Sequence, residues 1–114
     1  MNIEVALVTW LSDRLHMPVF ASVPENRPVS FVTVERTGGA AKNIAFDNPQ
    51  VAIQCWAQTR HDASELAYKV AEVMSDFAYE PHIYSVFRNS LYNFPDPDSG
   101  MGRYQILYQL TTRQ

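Results

Sequence analysis

The run from Phe31 to Ala78 constrains this chain more than any other segment. The stretch Phe31-Val32-Thr33-Val34-Glu35-Arg36 alternates as a half-buried strand does, and Gly38-Gly39 stops it. A loop of about ten residues follows. A second strand over Gln50 to Gln58 then places Val51, Ile53, Cys55 and Ala57 on one face and Gln54, Trp56 and Gln58 on the other. It feeds straight into a helix. Thr59 followed by Asp62, and Asp62 followed by Glu65, are overlapping capping-box patterns. Ala63, Leu66, Ala67, Val70, Met74, Phe77 and Ala78 form the helix's apolar stripe, and its alanines permit close approach to a sheet. Pro81 marks its end.

The flanks extend the same pattern. Ile3, Leu7, Trp10, Leu11 and Leu15 recur at helical spacing, with Asn2 as N-cap and Pro18 as the stop. Pro24 and Pro28 keep the following connection extended, and Val19, Phe20 and Val23 leave room there for a short strand. Ile83 to Leu91 and Arg103 to Thr112 read as a β-hairpin around the turn-forming segment Pro95 to Gly102. The predicted order is α-β-β-α-β-β. The predicted fold class is α+β, a two-layer α/β sandwich whose mainly antiparallel sheet carries two helices on one face. At 114 residues the chain is read as one domain, 1–114.

Composition narrows the function classes. Nine basic and twelve acidic residues give a net charge of −3, and the chain has no basic run. Sequence-independent binding to nucleic acid needs clustered Lys and Arg against phosphates, so a grip on DNA or RNA is not expected. Only 18% of residues are charged while 12% are aromatic, a surface composition suited to contact with partners. The single cysteine, Cys55, excludes an internal disulfide and fits a reducing compartment; its place in an apolar alternation predicts a buried thiol. The N-terminal residues do not resemble a secretory signal, and the apolar stretch Val5 to Leu11 is too short to span a bilayer. The expectation is a soluble protein made in a cytoplasm, with no membrane partner.

No catalytic constellation is legible. His16, His61 and His82 lie at element ends without metal-ligand spacing, so neither a metal nor a cofactor is expected. Gly38-Gly39 lacks the longer phosphate-cradling pattern and its lysine. Asp96 and Asp98 alternate with prolines as turn residues do. A nucleophilic Cys55, in a cleft with Trp56 and Arg60, is the one enzymatic or ligand-binding alternative. The interface candidates are Arg36, Arg60 and Arg103, each where a strand meets a loop, together with Trp56, Lys42, Ile44 and Phe46. The opposing expectation for the arginines is that each is solvated or pairs locally with Glu35, Asp62 or Asp98.

Residues Pro28 to Gly39, Asp47 to Ala57, the helix over Ala63 to Ala71 and the closing Gly102-Arg103-Tyr104-Gln105-Ile106 together resemble small tail terminator proteins of long-tailed bacteriophages. The first helix matches by position and length. The resemblance implies a structural role rather than catalysis. Such a protein forms a ring, typically a hexamer though monomeric when purified, that caps the tail tube and ends its polymerisation. The implied partners are further copies of itself, the major tail tube protein and the head completion or connector protein. DNA passes through the lumen without specific binding. The implied location is the head–tail junction of the virion, and the host cytoplasm during assembly.

The loop from Thr37 to Pro49 corresponds to a family loop that orders against neighbouring subunits, and its Phe46 is costly to leave in water. Glu35, Asp47 and Asp62 are the carboxylates considered for the lumen. A head–tail connector or neck protein of the same virion is the nearest alternative.

Overall fold

Asn2 starts the first helix, α1 (Ile3–Leu15): its Oδ1 accepts the N–H groups of Glu4 at 3.2 Å and Val5 at 3.3 Å. Two of the donors that a helix start leaves unpaired are thereby satisfied. The helix ends at His16, in left-handed backbone with φ 54, whose N–H donates to the Ser12 carbonyl two residues before Pro18. Ile3, Leu7, Leu11 and Leu15 form its buried stripe. The computed structural model describes residues 1–114, and none of its helices is long and apolar enough to cross a membrane.

The sheet has six strands: β1 (Val19–Phe20), β2 (Phe31–Gly38), β3 (Phe46–Asp47), β4 (Gln50–Ala57), β5 (Ile83–Asn93) and β6 (Gly102–Arg113). Strands β1, β2, β4 and β6 lie side by side. β6 uses one edge for β4, through residues 102–109, and the other for β5, through residues 104–112. β3 pairs with its last two residues, Thr112 and Arg113. Only β1 and β2 run parallel, so the sheet is mixed though mainly antiparallel. The two-residue strands β1 and β3 extend the expected α-β-β-α-β-β order without changing it.

Between the central strands, α2 (Arg60–Met74) follows β4 after two residues. Thr59 caps it, its Oγ1 accepting the Asp62 N–H at 3.1 Å, so the first of the two overlapping boxes sets the helix start. After Met74 the helix tightens into a 3-10 turn over Ser75–Tyr79. That tightening rotates Ala78 out to solvent, while Phe77 stays buried.

Both helices cover one face of the sheet. A single core joins Leu7 and Leu11 of α1, Val70 and Met74 of α2, and the inward residues Val34, Ile53, Ile106 and Leu110 of the strands. Removing such side chains from water is what holds the two layers together, at about 25 cal/mol per Å² of apolar surface. Cys55 lies in this core, fully buried, as the alternation predicts.

The opposite face carries a polar ladder across the strands. Trp56 Nε1 donates to Thr33 Oγ1 at 3.3 Å, the Thr33 hydroxyl donates to Gln54 Oε1 at 3.4 Å, and Gln54 Nε2 donates to Gln105 Oε1 at 2.9 Å. Gln105 Nε2 closes the chain on the Tyr92 hydroxyl. Thr33 and Gln105 are buried, so these bonds meet the requirement that dehydrated polar groups be paired.

Candidate functional site

The seven interface candidates fall into three places. Arg36, Lys42, Ile44 and Phe46 belong to one end of the molecule, Trp56 and Arg103 to the open face of the sheet, and Arg60 to the start of α2. The structure does not gather them into one patch.

Arg36 is committed to holding the loop. Its guanidinium donates to Asp47 through Nη1 at 2.7 Å and Nη2 at 3.0 Å, and to the carbonyls of Gly38 and Gly39 at 3.0 and 2.8 Å. Its backbone N–H donates to Glu4 Oε2 at 2.8 Å, which ties the start of α1 to the same corner. The Arg36 hydrogen bonds hold the Asp47 carboxyl below the usual carboxylate range, against the opposing effect of partial burial. The partner is thus Asp47 rather than Glu35, Asp62 or Asp98. Arg36 and Asp47 are engaged with each other inside the chain, with the Arg36 side chain 31% exposed.

Two sequence features make the corner. Gly39 has φ +88, and a Cβ there would stand 2.1 Å from the Asn48 carbonyl oxygen. Only glycine lets the two limbs of the loop approach so closely. Asn43 Oδ1 accepts the N–H groups of Ala45 at 2.8 Å and Phe46 at 2.9 Å, turning the loop tip back on itself.

What the clamp presents is apolar. Ile44 is 96% exposed, and Phe46 meets Tyr84 of β5 edge-on with ring centroids 5.3 Å apart. The Phe46–Tyr84 ridge divides two shallow concavities. One, of about 460 Å³, is lined by Lys42, Phe46, Tyr84 and Thr111. The other, of about 580 Å³, lies between Ile44, His82, Tyr84 and Arg113. No Asp or Glu side chain lines either one. Tyr84 and Arg113 were not legible as site residues. The signal for them was their place at the two ends of the hairpin, but the sequence does not reveal that the loop folds onto that end.

Trp56 is not a surface residue. It is only 2% exposed, stacked on Phe31 at 5.3 Å between centroids, with the guanidinium carbons of Arg27 and Arg103 at 5.1 and 4.9 Å from its ring centroid. The pairing of an indole with glutamines on one strand face reflects a local cover of cation–π contacts rather than a partner protein. Arg103 also lies 4.4 Å from the Phe94 ring centroid and donates to the Phe94 and Pro95 carbonyls at 2.7 and 3.3 Å. It therefore anchors the connection between β5 and β6. Arg60 is exposed in the first turn of α2, without a salt bridge.

The catalytic alternative meets a physical obstacle. Burial pushes the Cys55 thiol far up from its ordinary value, and the side chain points into the core while Trp56 points to the other face. No cavity gathers Cys55, Trp56 and Arg60. A thiolate nucleophile needs access and a lowered pKa, and Cys55 has neither. No family model matches this chain, and no curated protein matches its sequence.

Proposed function

We propose that this protein is a tail terminator of a long-tailed bacteriophage, a structural subunit that caps the tail tube by assembling into a ring. The observation that carries the reading is the apolar end of the molecule: Ile44, Phe46 and Tyr84 held outward by the Arg36–Asp47 clamp. A lone monomer gains nothing from fixing such side chains in water, whereas a neighbouring subunit would bury them. The sequence resemblance over residues 28–39, 47–57, 63–71 and 102–106 supports the same role. Lightly charged surfaces favour association, and six copies at −3 each carry −18, a sign that repels DNA passing through a central channel.

In this reading the chain makes and breaks no covalent bond. Its work is self-assembly on the open end of the tube, followed by presentation of a surface to the head connector. The test is to add purified protein to polymerising tail tube subunits and measure tube lengths by electron microscopy. Tubes of limited length with a terminal ring are expected; unrestrained growth with no bound protein would refute it. A virion lacking the chain distinguishes the neck-protein reading. Overlong tails fit a terminator, and tails of normal length that never join heads fit a neck protein.

A further inference from the structure

We propose that the turn between β5 and β6 of one copy docks into the Phe46–Tyr84 end of the next copy, head to tail. This rests on the assembly reading above and names the two surfaces that would meet.

The hairpin sets the geometry. β5 and β6 are 11 and 12 residues long, so at about 3.3 Å per residue they separate the turn from the opposite end by most of the molecule's 43 Å long axis. Surfaces at opposite ends of one axis cannot meet within a monomer. They meet between copies, and a repeated contact between unlike surfaces closes into a ring when its rotation allows.

The two surfaces complement each other in charge and in shape. At the apex of the turn, Pro97-Asp98-Ser99 is exposed, and Asp98 makes no salt bridge. The other charges nearby lie at the base and are engaged: Arg27 with Asp96 at 3.5 Å, and Arg103 over the Trp56 and Phe94 rings. The charge offered at the tip is therefore negative. At the far end, Lys42 and Arg113 flank the aromatic ridge, are exposed and make no salt bridge; no Asp or Glu side chain lines the concavities, and the one carboxylate there is the terminal group of Gln114 beside Arg113. Prolines beside Asp98 suit an aromatic floor, because their rings bury apolar surface without donors to satisfy.

Both surfaces are also built before they meet. Asp96 Oδ1 accepts the Asp98 N–H at 3.3 Å and Ser99 Oγ accepts the Met101 N–H at 3.2 Å, which fixes the tip. The Arg36–Asp47 clamp fixes the receiving end. Little ordering remains to oppose association.

Disulfide trapping tests this with the full chain, since Cys55 is buried and does not compete. I44C and S99C place single thiols on the receiving end and on the tip. Mixed at millimolar concentration under mild oxidation, the two variants should give a dimer that neither gives alone, and a chain carrying both should give a ladder. A mixture without the dimer, or self-trapping of I44C as strong as the mixed product, would overturn the proposal, the latter in favour of a two-fold contact between like surfaces.

Reversing Lys42 and Arg113 to Asp in the I44C chain should lower the yield about tenfold, and Asp98→Lys in the S99C chain should restore it. If the reversed chain melts abnormally, salt replaces it: at about 1 M ionic strength, where screening acts within about 3 Å, the unreversed pair should trap poorly. A salt-independent yield would overturn the charge argument. Tube capping is measured apart from trapping. Capping without trapping removes the docking model and leaves the terminator reading; trapping without capping does the opposite.

Discussion

Asp47 decides the shape of the loop, and its chemistry makes that checkable. Replacing it with asparagine removes the only ion pair of the partly buried Arg36 guanidinium and leaves Glu4, which forms no salt bridge with it, as the remaining counter-charge. Hydrogen bonds to charged groups contribute about 1.5–3 kcal/mol each, so Asp47→Asn should lower the melting temperature and open the loop. Trypsin cleavage after the exposed Lys42 should then be faster than in the unmodified protein. Acid should mimic the substitution. Because the folded-state pKa lies below the ordinary carboxylate value, the clamp's contribution is complete above about pH 4 and is lost as pH falls through the lowered value. Loop protection, followed by hydrogen exchange at Ala45 and Phe46, should hold down to that pH and fail beneath it. Sequence reasoning found Arg36 and Asp47 separately but could not join them. The pairing depends on Gly39 bringing Asn48 within touching distance of the opposite limb, and proximity across a loop leaves no periodic trace.

The helices were the most legible elements because their signals are local. Thr59 satisfies a donor three residues on, and Thr59→Ala should cost about 1 kcal/mol of stability, read by denaturant unfolding. His16 shows the reverse situation. It ends α1 in left-handed backbone, which costs a residue with a Cβ about 1–2 kcal/mol. His16→Gly relieves that and gives back about 0.4–1 kcal/mol in unfolded-chain freedom, so it should stabilise slightly in the same measurement. Strands were legible where alternation is strict, as in β2, β4 and β6. β5 was legible as a strand but not as an exposed edge: its Tyr84 and Phe87 are 54% and 63% exposed. Aromatic residues on a strand read alike whether they face a core or water, and only the pairing of β5 to one neighbour reveals which applies. Trp56 failed in the opposite sense, since its cover comes from Arg27, distant in sequence and unmarked by any pattern.

Charge and apolar surface act together when many copies share a solution. The sequence pI is about 5.5, and at neutral pH the modest net charge of −3 is all that opposes contact between exposed aromatic groups. Near the pI that opposition vanishes. Asp47, with its lowered pKa, is still ionised there, so the clamp and the fold persist while repulsion does not. Light scattering should therefore rise near pH 5.5 with the circular dichroism spectrum unchanged, and unfolding should begin only at lower pH. Phe87→Lys discriminates between surface association and general instability. It removes an exposed ring from the β5 edge and adds a positive charge, which shifts the pI upward. At pH 5.5 this variant should scatter less than the unmodified protein and melt within about 0.5 kcal/mol of it. Equal scattering would place the adhesive surface off the β5 edge, and Ile44 at the loop tip, 96% exposed, would be the next to alter.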